Sequence, residues 1–584
     1  MENDGAAVTV NVNDASRAER LKLVAAWVLL SLPLAAHPLF WVRIFRSRLV
    51  YWNHVTLITL PVLALAAVAV LLLTGVKDLG RKCVGHRLNL LVTAFSAVLV
   101  LQSLARWTYT GGRLEFEDWY LPLLPLAGMA LSREIMRILP RWGTIVLVVL
   151  IVFTLRFPEY CIGLPGNWNW NLSLLAVLIP APFLLRRLAP KRFWLPVLVT
   201  AVFLIAFSLL KPKLAPFGVI VGVTTASAAL WLLWKLPRRQ RLFITILGGG
   251  AGIAMFLTIW LGPADPANRD SRFWLWRGSV ELALRKGAIG VGFGNYEREI
   301  NPYLPKEYYF SEYAANLHTH PHNELLAAWC SYGVPGVIFI MLFTLAAVSG
   351  LRNYSSVRVW GFWLFLVLSV HGQVDILLET PLAGTLWLVV GGALAGDGRR
   401  SGEAHPKLGL AGAVATAALA AVVFLSSWFY REALMSYEEG DGYISRRKAE
   451  KSLALRENPA TRYLAGGIEL RLLHNYRGAI RHYERLAPGY LHSNLYMGSA
   501  YAALGEYDAA LSCLDLESKA FPMSALNAYM KLEVMRKSGG EEDVVSLASQ
   551  EAQLNYLLKL RGISSVNELL VNHDLDDRRK LKNP

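Results

Sequence analysis

The chain has 584 residues, 54% hydrophobic and only 17% charged, with a formal charge of +16 at pH 7 and a positive mean hydropathy. That balance excludes an ordinary soluble multidomain enzyme and makes a bilayer part of the solvent. Lys and Arg stand in short clusters between apolar runs instead of in one stripe, which argues against nucleic acid as a partner and reads as a topology signal.

Residues 1–21 are polar, and the first apolar run, from near Leu21, lacks a small-residue cleavage site; a cytoplasmic N-terminal segment and a retained anchor are expected. A hydrocarbon core takes roughly 20 apolar residues per helix. The runs predict spans near 22–40, 55–75, 88–105, 119–138, 143–156, 172–188, 193–210, 214–234, 242–261, 324–349, 357–372, 381–396 and 408–430. The expected fold class is all-α: a polytopic transmembrane helical bundle of about 12–13 helices over 22–430, followed by a helical repeat domain. Counted from a cytoplasmic N-terminus, the even loops carry the basic residues, among them Lys77, Arg81, Lys82 and Arg87, then Arg133, Arg137 and Arg141, then Arg352 and Arg358. Arg43, Arg46 and Arg48 are exceptions. This parity puts the large loop 262–323 and everything after Tyr430 on the periplasmic side of an inner (cytoplasmic) membrane. ATP and nucleotide sugars are absent there, so a donor must arrive already activated.

Cys83, Cys161, Cys330 and Cys513 show no spacing suited to zinc or to a redox pair. In the soluble part, 431–564, the stretches 449–459, 479–488 and 510–522 each open on Ala and close on Pro at a spacing of roughly 30 residues. They resemble the second helices of tetratricopeptide repeats, most clearly through Gly498, Tyr501, Gly505, Tyr507, Ala510 and Pro522. Such a domain serves either as a structural stack or as a docking surface for an envelope protein. Residues 565–584 read as a polar tail.

The chemistry is concentrated in the outer loop. Arg269, Arg272, Arg277, Arg285 and Lys286 collect positive charge against the topology trend, which points to an anion site, phosphate in preference to carboxylate. Arg272 and Trp276 share one face of a helix, with Arg277 adjacent; the guanidinium fork can grip pyrophosphate while Trp276 touches lipid or sugar. The bland alternative is an Arg snorkelling to headgroups beside an interfacial Trp, and it is the expectation for Arg285 and Lys286. His318, His320 and His322 alternate before Asn323 opens an apolar helix. Pro321 interrupts the run and no acidic partner is evident, so a general base is expected in preference to a metal site. A neutral His322 can take the proton of a hydroxyl attacking an anomeric carbon; the alternative is a histidine that packs at a helix start. Gly290, Gly292 and Gly294 read as turn residues, since no βαβ unit surrounds them.

Taken in order, these pieces resemble the O-antigen ligase and O-antigen polymerase superfamily, including bacterial protein O-oligosaccharyltransferases. The resemblance covers much of the membrane part. It rests on the Arg272 to Trp276 spacing, the glycine turn, the block His322, Asn323, Leu326, Gly333 and Gly336, and the segments 166–180 and 374–392. It implies the fold of lipid-phosphosugar glycosyltransferases, a glycan donor on undecaprenyl pyrophosphate, and inverting transfer without metal, nucleotide or other cofactor. By the same resemblance His322 is the base and Arg272 the catalytic cation at the leaving pyrophosphate. Arg269, Arg277, Lys211 and Lys213 are its further contacts, and Trp276, His320, Asn323 and Glu324 support the site. Lys211 and Lys213 stand where the family often has Ser-Arg. Ser331 stands where it often has an acid before the first Gly of the His motif, Glu324 being the acid at hand. The acceptor would be lipid A core, a glycan or a protein, which separates ligase, polymerase and protein O-oligosaccharyltransferase. From another class, a non-catalytic scaffold would recruit envelope proteins through the repeats. A transporter ranks last, because few polar residues fall in mid-span.

Overall fold

In hydrocarbon every backbone N–H and C=O must find a partner within its own segment, so apolar runs of this length form helices. In the computed structural model of the chain, all regular structure among the described residues is helical. These are 12–35, 52–74, 87–109, 119–156, 173–185 without 176, 271–308 without 294 and 306, 320–350, 355–396 without 374, 376 and 379, 406–486, 490–538, 544–560 and 563–570. The expected spans 193–210, 214–234 and 242–261 lie outside them.

The first helices are α1 (Val12–Ala35), α2 (Trp52–Thr74), α3 (Arg87–Tyr109), α4 (Tyr120–Ala130), α5 (Ser132–Arg156) and the short α6 (Ala181–Leu185). Next come α7 (Ser271–Lys286), α8 (Tyr296–Ile300), α9 (Glu324–Tyr332), α10 (Val334–Ser349), α11 (Ser356–His371) and α12 (Pro381–Ala395). Three described stretches, Arg87–Ala105, Ser132–Val152 and Lys407–Glu438, are long and apolar enough to cross a membrane, and five shorter apolar helices accompany them. Leu101, Val148, Met341 and Val414 are each more than half exposed, an outward apolar surface that suits a nonaqueous surrounding. The spans expected at 119–138 and 143–156 divide at Leu131, not at 139–142. Leu131 leaves helical geometry (φ −102°, ψ 21°), and Ser132 fixes the corner by donating from Oγ to the Ala393 carbonyl at 2.6 Å. The span expected at 172–188 is interrupted at Pro180, which has no N–H to continue a helix.

Close approach of small residues seats the helices. A Cβ on Gly128 would lie 2.4 Å from the Val389 carbonyl, and one on Gly392 would lie 2.2 Å from that of Pro125, so α4 and α12 meet backbone to backbone. At one end of the bundle Arg133 and Arg137 reach Glu19 at 3.4 and 3.7 Å. At that same end the buried Arg358 donates to the carbonyls of Gly350, Leu394 and Gly396, satisfying the last turns of α10 and α12. The opposite end carries Gln102, which donates to the carbonyls of Ile289 and Tyr332, and the turn that follows α7. There Val291 and Gly292 donate to the carbonyls of Cys330 and Ser331 at 2.7 and 2.8 Å, and Val334 donates to that of Gly287 at 3.0 Å. Gly290 and Gly292 thus serve a backbone clasp on the α9–α10 corner, a more specific role than turn formation.

Helix α13 (Pro406–Glu438) runs unbroken through the expected boundary at 430, and its Tyr430, Ala433 and Leu434 enter the core of the following domain. Then come α14 (Gly442–Leu455), α15 (Pro459–Arg471), α16 (Tyr476–Tyr483), α17 (Ser493–Ala503), α18 (Tyr507–Ala520), α19 (Ala525–Ser538) and α20 (Val544–Leu560), each packed on the next. Pro459, read as the close of a repeat helix, instead opens α15. Its missing N–H costs nothing at the first position, and Asn458 caps the helix by accepting from Ala460 N at 2.8 Å. Gly498 lets α17 approach Leu514, and Gly505 turns the chain at φ +78°. Leu569 is buried beside Leu554 and Leu557, so the first part of the expected polar tail is packed. Met523, after α18, lies against a cluster of Phe273, Trp274 and Tyr296 from α7 and α8.

Two outcomes follow. A Cβ on Gly290 (φ +65°) would meet Cys330 O, Gly333 N and Ser331 C at 2.6 Å, whereas nothing lies within 4 Å of one on Gly505. Gly290→Ala is expected to cost about 1–3 kcal/mol, seen as a lower melting temperature in detergent, while Gly505→Asn stays near wild type; equal melting temperatures would refute the clasp. Among the C-terminal helices, burial and then Arg462, Arg485, Arg446 and Arg481 push the His482 imidazole down to about 4. Unfolded, it titrates near roughly 6.5, so in the intervening range the unfolded chain binds a proton that the folded one refuses, and stability falls as pH drops through that window. His482→Gln should flatten the decline in melting temperature between those pH values; an unchanged slope would count against the burial.

Candidate functional site

The end of the bundle that bears the glycine clasp also gathers the ionisable residues. Asn323 has extended backbone and caps α9, its Oδ1 accepting from Leu326 N at 2.9 Å, while its Nδ2 donates to the Gln373 carbonyl at 2.9 Å. Glu324 N donates to the Gly372 carbonyl at 2.8 Å, and its carboxylate Oε1 accepts from the backbone N–H groups of Leu377 and Leu378. The start of α9 is thereby knotted to the loop between α11 and α12. His322, just before the cap, is forced to φ +53°, a conformation rare for a side chain with Cβ, and its N–H donates to His320 Nδ1 at 2.8 Å.

The knot brings Asp375 to the histidines. His322 Nδ1 lies 3.4 Å from Asp375 Oδ1, and His371 Nε2 lies 3.7 Å from Asp375 Oδ2. On the far side Ser173 Oγ is 2.6 Å from His371 Nδ1. His320 Nε2 faces Glu324 Oε1 at 3.4 Å. Both carboxylates are 2% exposed, whereas the His322 side chain keeps 22% exposure, so of His320, His322, His371, Glu324 and Asp375 it alone meets the surface appreciably. The two ion-pair distances exceed an ordinary hydrogen bond, as catalytic contacts often do before a ligand tightens them. Burial lowers the proton affinity of His322; the bond to Asp375 raises it, and the nearby His320 and Arg272 lower it further. The result is an imidazole neutral near pH 7 and able to accept a proton.

Arg272 is half-buried on the first turn of α7, and its charge reaches both His322 and His371. Trp276 is buried one turn later, while Arg277 points to the exposed side of the helix. Arg285 pairs with Glu281 at 3.1 Å and lies over the Tyr303 ring, and Lys286 pairs with Glu299 at 3.7 Å, which are structural roles. The structure thus gathers Arg272, His320, His322, Asn323 and Glu324. Arg269, Lys211, Lys213 and His318 lie outside the described residues.

One expectation is overturned: the histidines do have acidic partners, Glu324 and Asp375. Asp375, His371 and Ser173 were missed as site residues. The available signal was an isolated acid and a histidine four residues apart in an otherwise apolar segment, the pattern that marks functional ionisable groups in membranes. His322 and His371 address opposite oxygens of one carboxylate and so do not converge on a point; among the described residues no group of three or more His, Cys, Asp or Glu is arranged to hold a metal ion. No family model matches the chain, and no curated protein matches it.

The opposed influences on His322 give a test independent of any activity. In histidine-labelled protein followed by NMR, Asp375→Asn is expected to move the His322 titration to lower pH and Arg272→Ala to move it higher. Shifts of the same sign would show that these two charges do not face the ring.

Proposed function

We propose that the chain is a multi-pass membrane glycosyltransferase of the O-antigen ligase kind, which moves a glycan from undecaprenyl pyrophosphate to an acceptor hydroxyl. The observation that carries this reading is the pairing of a surface-reaching imidazole, His322 backed by Asp375, with the half-buried guanidinium Arg272 at the same end of an apolar bundle. A base and a cation whose charge reaches it suit a reaction that removes a proton at one atom and releases a phosphate at another.

In this reading the acceptor oxygen attacks the anomeric carbon from the face opposite the leaving group. His322 accepts the acceptor's proton as the new C–O bond forms. The bond from the anomeric carbon to the pyrophosphate oxygen breaks, and its electron pair leaves with the lipid pyrophosphate. Arg272 balances the growing negative charge, Asp375 stabilises the imidazolium, and configuration inverts. His320 and Glu324 hold the backbone around His322, and Asn323 fixes the helix that follows. The long apolar helices and outward apolar side chains support a membrane setting, and the site and the repeats belong to the outer face of an inner membrane. The stacked helices of 442–560 support a tetratricopeptide-like domain, whose place beside the outer loop suits an acceptor or envelope partner. Lipid A core, a growing glycan and a protein are acceptors of the same chemical kind.

The deciding experiment uses purified full-length protein, an undecaprenyl-pyrophosphate oligosaccharide and each acceptor, with EDTA present and ATP absent. Wild type should transfer the glycan, and His322→Ala and Arg272→Ala should each lose roughly 100-fold or more while retaining the melting temperature. Wild-type rates in both variants would remove the site assignment; no transfer by wild type to any acceptor would favour a scaffold built around the repeats.

A further inference from the structure

We propose that Ser173 and His371 form a buried tautomer relay that positions Asp375 and, through it, keeps the acceptor-facing nitrogen of His322 unprotonated; the inference rests on His322 as the base. Ser173, His371 and Asp375 are 0%, 3% and 2% exposed, so their polar atoms are shielded from bulk water. None of the three has been given a part in bond making.

The argument starts from the 2.6 Å contact between Ser173 Oγ and His371 Nδ1. A neutral imidazole carries one proton, and its position follows from what each nitrogen faces. With the proton on Nδ1, the ring would present the Nε2 lone pair to Asp375 Oδ2 at 3.7 Å, two acceptors opposed in a medium of low dielectric. With the proton on Nε2, Ser173 O–H donates to Nδ1 and Nε2–H directs its proton at the carboxylate. The carboxylate favours the second tautomer, and Ser173, whose hydroxyl can donate or accept, completes it by donating to Nδ1.

Asp375 passes the choice on. Its other oxygen, Oδ1, faces His322 Nδ1 at 3.4 Å and draws the His322 proton to that nitrogen. The lone pair of His322 Nε2 then serves the acceptor hydroxyl. The other charged and titratable groups described beside these rings are His320, Glu324 and Arg272, whose charge reaches His371 as well as His322. His320 takes the His322 backbone N–H on its own Nδ1 and turns Nε2 to Glu324, while the positive charge of Arg272 favours the neutral form of His322. During transfer the acceptor proton passes to His322 Nε2 and stops there; Ser173 and His371 keep their own protons. They are positioning residues, and a hydroxyl three groups away sets which nitrogen of the base is ready.

The test uses the full chain in nanodiscs with 15N-labelled histidine, the His371 and His322 signals being identified by their loss in His371→Gln and His322→Gln. In wild type His371 should be protonated on Nε2 and neutral His322 on Nδ1; Ser173→Ala should mix the tautomers at both rings, and Ser173→Thr, which keeps the hydroxyl, should not. In the transfer assay Ser173→Ala should lower kcat about 10- to 100-fold with KM unchanged. In a His371→Gln background, where a side-chain amide offers N–H without a tautomer to choose, the same change should cost little. A wild-type His371 protonated on Nδ1, or equal losses in the two backgrounds, overturns the relay. If wild type transfers no glycan, the transferase reading fails while the tautomers still decide the relay.

Discussion

A carboxylate buried among apolar helices is costly unless its charge is met inside the protein, and the site end of this molecule depends on meeting two of them. Glu324 is met by the N–H groups of Leu377 and Leu378 and by the N-terminal end of its own helix, where negative charge is favoured. Asp375 is met by an imidazole on each side. The two solutions are one construction, because the loop that supplies N–H groups to Glu324 is the loop that carries Asp375. Fixing Glu324 therefore fixes the distance from Asp375 to His322.

The cation arrives by a separate route. Arg272 rides on α7, whose position is set by main-chain hydrogen bonds from the glycine turn to the α9–α10 corner and by Cys330 Sγ donating to the Ser279 carbonyl at 3.4 Å. The aromatic residues Phe273, Trp274 and Tyr296 form a cluster on this layer, with Met523 of the C-terminal helices packed against it. His322 and Arg272 thus belong to elements joined through backbone contacts that leave no room for a Cβ at Gly290 or Gly333. Rigidity of this kind suits charges that must be in place before the reaction begins.

The helices were legible because apolar length is a property of a segment, and His322 and Arg272 because charged groups between apolar runs stand out locally. Asp375 stood in a segment singled out for its resemblance, yet nothing near it in sequence says that it meets His322, 53 positions away in the chain numbering, and still less that Ser173 meets His371 across a separation of 198. Such pairings are decided by which helix ends converge. The Leu131 corner is hidden for the same reason: the expected spans 119–138 and 143–156 part at 139–142, but the corner is fixed by a serine bound to the distant Ala393 carbonyl. Pro459 was misplaced by one element because a proline reads alike after one helix and at the first position of the next.

The balance around His322 explains why a buried acid belongs here at all. In the proposed reaction a cation must stand near the leaving pyrophosphate, and a cation that close to the base weakens it, as Arg272 does to His322. Burial weakens the base further by penalising the imidazolium. A carboxylate against the opposite nitrogen restores part of the basicity and orients the ring without approaching the anionic donor. For it to do so it must lie behind the histidine and away from solvent, and in a helical bundle that position is inside the apolar layer. The second histidine and its serine then give Asp375 a polar partner on its buried side.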